Sequence, residues 1–245
     1  MQGKTNVENY SIGLTLTSET NQDQNPAVQD CFSFPQPLTE KYRPQAIAEF
    51  VGLDKIKRAM AKLAENPYPS AWFFLGNSGT GKTTMALALA AEMPAEVHHI
   101  ASKECTLETV RELARQCHYM PRQFNDWKPC KMHICIVDEC DQMSYPAQLA
   151  FLSILDAAAP VPNTIWIFTG NSSANLEPRF MSRVRVLEFS SYGISGAVTD
   201  LLQRVWMRET GNNVESAPNF KTIVKESSNN VRASLMALET EIMCS

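Results

Sequence analysis

Eight residues constrain this chain more than any others: Gly76-Asn77-Ser78-Gly79-Thr80-Gly81-Lys82-Thr83 matches the pattern G-x-x-x-x-G-K-[ST]. An apolar run, Ala71-Trp72-Phe73-Phe74-Leu75, comes just before it, and a helical pattern from Lys82 to Glu92 follows. Strand, glycine-rich loop and helix in that order are what a phosphate-binding loop requires. The glycines let the backbone wrap tightly and turn successive N–H groups inward. The helix N-terminus adds positive potential. In this reading Lys82 neutralises the β- and γ-phosphates and the Thr83 hydroxyl ligates Mg²⁺. The competing reading, a glycine-rich turn with a surface lysine, does not account for the flanking strand and helix.

A loop of this kind belongs on a parallel sheet, and the rest of the chain supplies one. Strands are expected at Glu96 to Ile100, Ile134 to Val137, Thr164 to Thr169 and Val184 to Phe189. Their apolar runs are continuous rather than alternating, which signals strands covered on both faces. Helices are expected between them: Asp54 to Glu65, a stretch capped by Thr106 that runs to Gln116, and one capped by Ser144 that runs to about Ala158. After Phe189 the strands stop. Ile194, Val198, Leu201 and Val205 repeat at helical spacing, as do Val231, Leu235, Leu238 and Ile242. The expected organisation is a polar tail at 1–36, an α/β nucleotide-binding domain at 37–190 and a small all-helical lid at 191–245.

The third strand ends in Asp138-Glu139. Strand C-termini beside a phosphate loop face the nucleotide crevice. Asp138 is placed to hold Mg²⁺ through water, and Glu139 to orient and polarise an attacking water. Cys140 reads as a small packed residue. A zinc site from Cys105, Cys117, His118 and Cys130 is disfavoured, because none of these has a C-x-x-C partner.

Composition narrows the class further. In the tail, 16 of 36 residues are Asn, Gln, Ser or Thr, too polar a mixture to offset ordering entropy. The tail is read as disordered, with a docking arm anchored on Phe32 and Phe34 as the alternative. Seven cysteines are an odd number and suit reduced thiols, hence an intracellular, cytoplasmic or nuclear, protein. No secretory signal is expected at the start. No apolar run approaches the ~18–20 residues of a membrane span. The net charge of −4 does not indicate a strongly basic nucleic-acid binder.

With these motifs placed, the chain resembles the AAA+ ATPases, and within them the clamp-loader group of replication factor C small subunits. Glu40-Lys41-Tyr42-Arg43-Pro44 is similar to the family's E-K-Y-R-P segment, which implies that Tyr42, Arg43 and Pro44 line an adenine pocket. Val51-Gly52-Leu53 is close to its V-G-Q. Val51 and Thr84, after the loop, join the implied nucleotide-contacting set. Asp138-Glu139-Cys140-Asp141 resembles D-E-A-D. Asn171 falls at sensor 1, implied to position water or γ-phosphate. Ser182-Arg183 resembles the S-R motif, so that Arg183 is implied to be an arginine finger acting on a neighbouring subunit's ATP. Arg232 falls at sensor 2 on the lid, implied to touch the γ-phosphate of its own chain.

The resemblance implies a Mg²⁺-dependent ATPase working with other AAA+ subunits, DNA and a sliding clamp. Two readings stay open beside it: another AAA+ DNA-remodelling motor such as a branch-migration helicase, and an ATP-dependent interaction switch with little turnover. The departures bear on the biological role. Leu152 and Ser153 stand where clamp loaders carry paired arginines. Val184 replaces the cysteine of S-R-C, and Asn229 replaces a glycine. The helical collar that holds the family's pentamer together is not expected in this chain.

Overall fold

The computed structural model describes residues 36–121, 131–156, 161–211 and 217–244. Five strands form one parallel sheet: β1 (Ser70–Gly76), β2 (Ala95–Ala101), β3 (Met132–Asp138), β4 (Thr164–Gly170) and β5 (Arg185–Phe189). Their order across the sheet is β2-β3-β4-β1-β5. The helices are α1 (Leu38–Lys41), α2 (Asp54–Glu65), α3 (Lys82–Ala91), α4 (Leu107–Gln116), α5 (Tyr145–Ile154), α6 (Pro178–Met181), α7 (Ser195–Thr210), α8 (Phe220–Glu226) and α9 (Val231–Cys244).

The continuous apolar runs arise because side chains of period two fill two cores at once. Phe73, Cys135, Val137, Trp166 and Phe168 face one core, closed by Val110 and Leu113 of α4, Phe151 of α5 and Phe180 of α6. Trp72, Phe74, Ile134, Ile136, Ile165 and Ile167 face the other, closed by Met60 and Leu63 of α2 and Met85 and Leu89 of α3. Phe151 meets Trp166 and Phe168 edge-on, with centroids 5.5 and 5.0 Å away. β1 lies between β4 and β5, where the chain order reverses along the sheet. The loop at its carboxyl end therefore sits at the switch point, the place where open α/β sheets bind ligands.

A third core belongs to the lid: Val198, Leu202, Val205, Trp206, Ile223, Val224, Leu235 and Leu238. Leu38 of α1 is buried in it as well. The Leu38 amide donates to Glu239 at 3.3 Å, Lys41 pairs with Glu209 at 2.8 Å, and the Tyr42 hydroxyl donates to Glu209. A boundary at 190/191 assigns residues from 37 onward to the sheet domain, whereas Leu38, Lys41 and Tyr42 make these contacts with the lid.

Local differences from the expectations have local causes. Thr106 caps α4, accepting from the Thr109 amide at 3.2 Å. Ser144 occupies the N-cap position of α5 but its side chain makes no cap hydrogen bond. α5 stops at Ile154 rather than near Ala158, which lies outside the described residues, as does the polar tail to Pro35. α8 was not expected. It is short, and its start is marked by Asn219, whose side chain accepts from the Thr222 amide.

Candidate nucleotide-binding site

The loop after β1 is held by its own lysine. Lys82 Nζ donates to the carbonyls of Gly76 (2.7 Å) and Asn77 (2.9 Å), and to Asn171 Oδ1 (3.1 Å). The Thr80 hydroxyl donates to the Asn77 carbonyl at 2.8 Å. Burial lowers the Lys82 pKa below the ordinary lysine value; Asp141, Asp138 and Glu139 oppose that shift and Arg232 adds to it. Gly79 and Gly81 have φ of +78° and +91°, where a side chain is strained, and Gly81 leads into α3. A Cβ on Gly79 would also lie 2.4 Å from Asn230 Oδ1.

The neighbouring strand end supplies oxygen. Asp138 Oδ1 accepts from the Thr83 and Thr169 hydroxyls, both at 2.8 Å, and Oδ2 lies 2.5 Å from His99 Nε2. The Glu139 amide donates to Thr169 Oγ1 at 3.2 Å, and Glu139 itself has φ of +51°. That left-handed backbone in a non-glycine residue, immediately after the acidic strand end, is of the kind that clusters at functional sites. Asp141 accepts from the Asn171 amide at 3.3 Å. The structure thus brings Lys82, Thr83, Asp138 and Asn171 together through direct hydrogen bonds, with Glu139 next to them. Hydroxyl and carboxylate oxygens are the donor chemistry that Mg²⁺ takes.

A cleft of about 350 Å³ opens beside this cluster, between the sheet and the lid. Tyr42, Arg43, Pro44, Val51, Gly79, Thr80, Gly81, Thr84 and Arg232, all singled out from the sequence, are among its lining residues. Gly76, Asn77 and Ser78 form the neighbouring turn of the loop. The Tyr42 hydroxyl is committed to Glu209; burial and that hydrogen bond raise its pKa to about 12. Arg43 pairs with Glu40 at 3.2 Å. Arg183 is the one predicted residue the fold keeps apart: its guanidinium donates to the Arg179 carbonyl at 2.9 Å, and it does not line the cleft.

Some site residues were not legible from motifs. Asn230 accepts from the Ala233 amide at 3.1 Å as the cap of α9, and donates to the Ser78 carbonyl at 2.6 Å. It ties the lid to the phosphate loop. Thr169 and His99 both hold Asp138, and Phe50 lies under Gly81. For Thr169 a signal existed, since it is a hydroxyl at the end of an otherwise apolar strand. Of the disfavoured zinc set, Cys105 packs on Met143 and His118 bonds the Ala114 carbonyl, while Cys130 lies outside the described residues. Cys140 is fully buried, as a packed residue should be.

A parallel sheet in this order, with a Gly-Lys-Thr loop at the switch point, an acidic neighbouring strand end and a helical lid, defines a P-loop nucleotide-binding fold of the AAA+ kind. Comparison with known proteins agrees. The profile of the ATPase family associated with various cellular activities (AAA) matches residues 72–192. The chain is 29% identical over 157 residues to the replication factor C small subunit of Thermoplasma volcanium, covering 62% of this chain and 48% of that protein. It is 31% identical over 161 residues to replication factor C small subunit 1 of Pyrobaculum islandicum, covering 62% and 46%. The chain spans about half the length of the curated relatives it matches. The Thermotoga maritima RuvB Holliday junction branch migration motor shares the fold, with a TM-score of 0.64 at 14% identity over 82% of this chain and 72% of that one. Residues 72–192 thus carry an AAA-family ATPase domain, and the chain is similar to replication factor C small subunits. Among the described residues no helix is long and apolar enough to cross a membrane.

Proposed function

We propose that this chain binds and hydrolyses ATP with Mg²⁺ and works as a clamp-loader-like subunit in DNA replication or repair, alongside other AAA+ subunits. The observation that carries the ATPase part is the meeting of two hydrogen-bonded pairs, Lys82 with Asn171 and Thr83 with Asp138, where the loop after β1 adjoins the ends of β3 and β4. In this reading Lys82 exchanges its loop carbonyls and Asn171 for phosphate oxygens. Thr83 and Asp138 hold Mg²⁺, which neutralises charge on the phosphates. Glu139 polarises the attacking water, and Asn171 positions it or the γ-phosphate. Tyr42, Arg43, Pro44, Val51 and Thr84 enclose the base and sugar side of the cleft. Arg232 reaches the γ-phosphate from the lid, and Arg183 acts on a neighbour's nucleotide. The clamp-loader part is supported by the names of the curated relatives, while the likeness to the branch-migration motor speaks for the fold alone.

Two variants test the site. Lys82→Ala is expected to abolish measurable Mg²⁺–ATP binding in calorimetry. Glu139→Gln is expected to keep ATP affinity and lose at least a hundredfold in turnover. Undiminished ATP affinity in folded Lys82→Ala protein would overturn the site. Stimulation of the parent ATPase by primed DNA and a sliding clamp tests the biological role; lack of any response, with turnover intact, would leave an ATPase of another purpose.

A further inference from the structure

On the α4-facing side of β2, away from the phosphate loop, three metal-binding side chains meet. His98 projects from the edge strand, His133 from β3, and Cys117 follows the last residue of α4. His98 Nε2 and His133 Nδ1 are 3.1 Å apart. One ligand atom from each of the three residues falls within 4.8 Å of the others, and this is the one such cluster of three among the described residues. His133 and Cys117 are almost fully buried, at 2% and 1% exposure. Glu96 is opposite His133 in the strand register, and its Oε2 lies 3.5 Å from His133 Nδ1.

The geometry points to a tetrahedral zinc-type site made by His98 Nε2, His133 Nδ1 and Cys117 Sγ, with the Glu96 carboxylate at the fourth position. Two nitrogens bound to one Zn²⁺ at about 2.0–2.1 Å in a tetrahedron stand about 3.3 Å apart, close to the separation seen here. The outer shell fits as well. His133 Nε2 is 3.0 Å from the Tyr119 carbonyl, to which it can only donate, so Nδ1 is left as a lone pair facing His98. Cys135 Sγ lies 3.5 Å from Cys117 Sγ, where its S–H supports a thiolate. Two imidazoles, a thiolate and a carboxylate suit zinc better than Mg²⁺ or Ca²⁺. His98 also lines an open groove with Thr109, Leu113 and Gln116, which gives an ion a route in. The ion's role is structural: it fastens the edge strand and the end of α4 to β3.

The test is Co²⁺ titration of the full chain after chelation, under reducing conditions. The expected result is about one Co²⁺ per chain with tetrahedral ligand-field bands and a thiolate charge-transfer band, displaced by Zn²⁺. Cys117→Ser is expected to lose the charge-transfer band, and His98→Gln to weaken Co²⁺ binding at least tenfold. Zn²⁺ is expected to raise the Tm of the parent and to raise that of His98→Gln far less. His98 is only partly buried and both substitutions are conservative, so circular dichroism is expected to show folded variants. A folded parent that binds no Co²⁺, or a charge-transfer band that survives in Cys117→Ser, overturns the site. So does a Cys117–Cys135 disulfide in protein kept in reductant.

Discussion

At the residue scale, Asn230 and Thr169 each join two parts of the candidate site. Asn230 caps α9 and holds the Ser78 carbonyl with the same amide. Asn230→Ala is expected to cost about 1 kcal/mol, the usual worth of a cap, as a lowered denaturant midpoint. Asn230→Ser keeps a capping oxygen but loses the amide donor, and so recovers most of that stability. Thr169 donates to Asp138 and accepts from the Glu139 amide. In Thr169→Val that amide loses its partner, at about 1–3 kcal/mol. Asp138 loses one of the donors that orient it, so the Mg²⁺ concentration needed for half-maximal ATPase is expected to rise. An unchanged Mg²⁺ requirement would remove Thr169 from the site.

At the element scale, α1 and the lid are coupled through Glu209. Its carboxylate accepts from Lys41 and Tyr42, and those bonds hold its pKa below the usual carboxylate value. The sign follows from linkage: a depressed carboxyl stabilises the fold above its unfolded value, ~4.3, and that stabilisation is lost as pH falls through the folded value. Tyr42, raised to about 12, is the opposite case. Its stabilisation is present below its unfolded value, ~10, and is lost as pH rises through the folded one. Amide hydrogen exchange in α1, corrected for intrinsic rate, is therefore expected to quicken at both pH extremes, and Glu209→Gln should flatten the acid limb. Between sheet and α5, Phe151 is fully buried against Trp166, Phe168 and Phe180. Phe151→Ala is expected to cost about 3–5 kcal/mol in equilibrium unfolding.

At the scale of the whole molecule, Arg183 is directed to its own α6 carbonyl and stays outside the cleft of its chain. The proposed finger in trans predicts such a placement, and a guanidinium supplied to a neighbour's γ-phosphoryl group is worth ~10³–10⁵ in rate. Arg183→Ala is expected to bind ATP normally and hydrolyse it poorly. Mixed with Glu139→Gln, it should regain part of the activity, because some interfaces then pair an intact Glu139 with an intact Arg183. Full activity of Arg183→Ala alone would refute the assignment. DNA coupling is a separate matter. α5 contains no Lys or Arg; Leu152 packs toward the core and Ser153 bonds the Ala150 carbonyl at 2.8 Å. With a net charge of −4, the purified chain is expected to bind DNA weakly and with strong salt dependence. Tight binding at physiological salt would contradict this.

The sequence by itself determined the parallel sheet, the phosphate loop and the acidic strand end. Each is written in contiguous residues: apolar runs of strand length, glycines where φ is positive, Asp138-Glu139 just past Val137. The resemblance to a known family singled out Tyr42, Asn171 and Arg232; in the structure Tyr42 and Arg232 line one cleft and Asn171 lies on Lys82 beside it. Tertiary structure alone decided who touches whom. Lys82 reaches Asn171, 89 residues on, because β1 and β4 are neighbours in the sheet, although β2 and β3 come between them in the chain. The same ordering sets His99 on Asp138 and brings His98 and His133 to Cys117, a grouping that no local sequence spacing indicates. Leu38 went to the lid for a similar reason. A short amphipathic turn does not encode which core it joins; it packs where an apolar surface remains uncovered, and that surface exists only once α7, α8 and α9 have assembled.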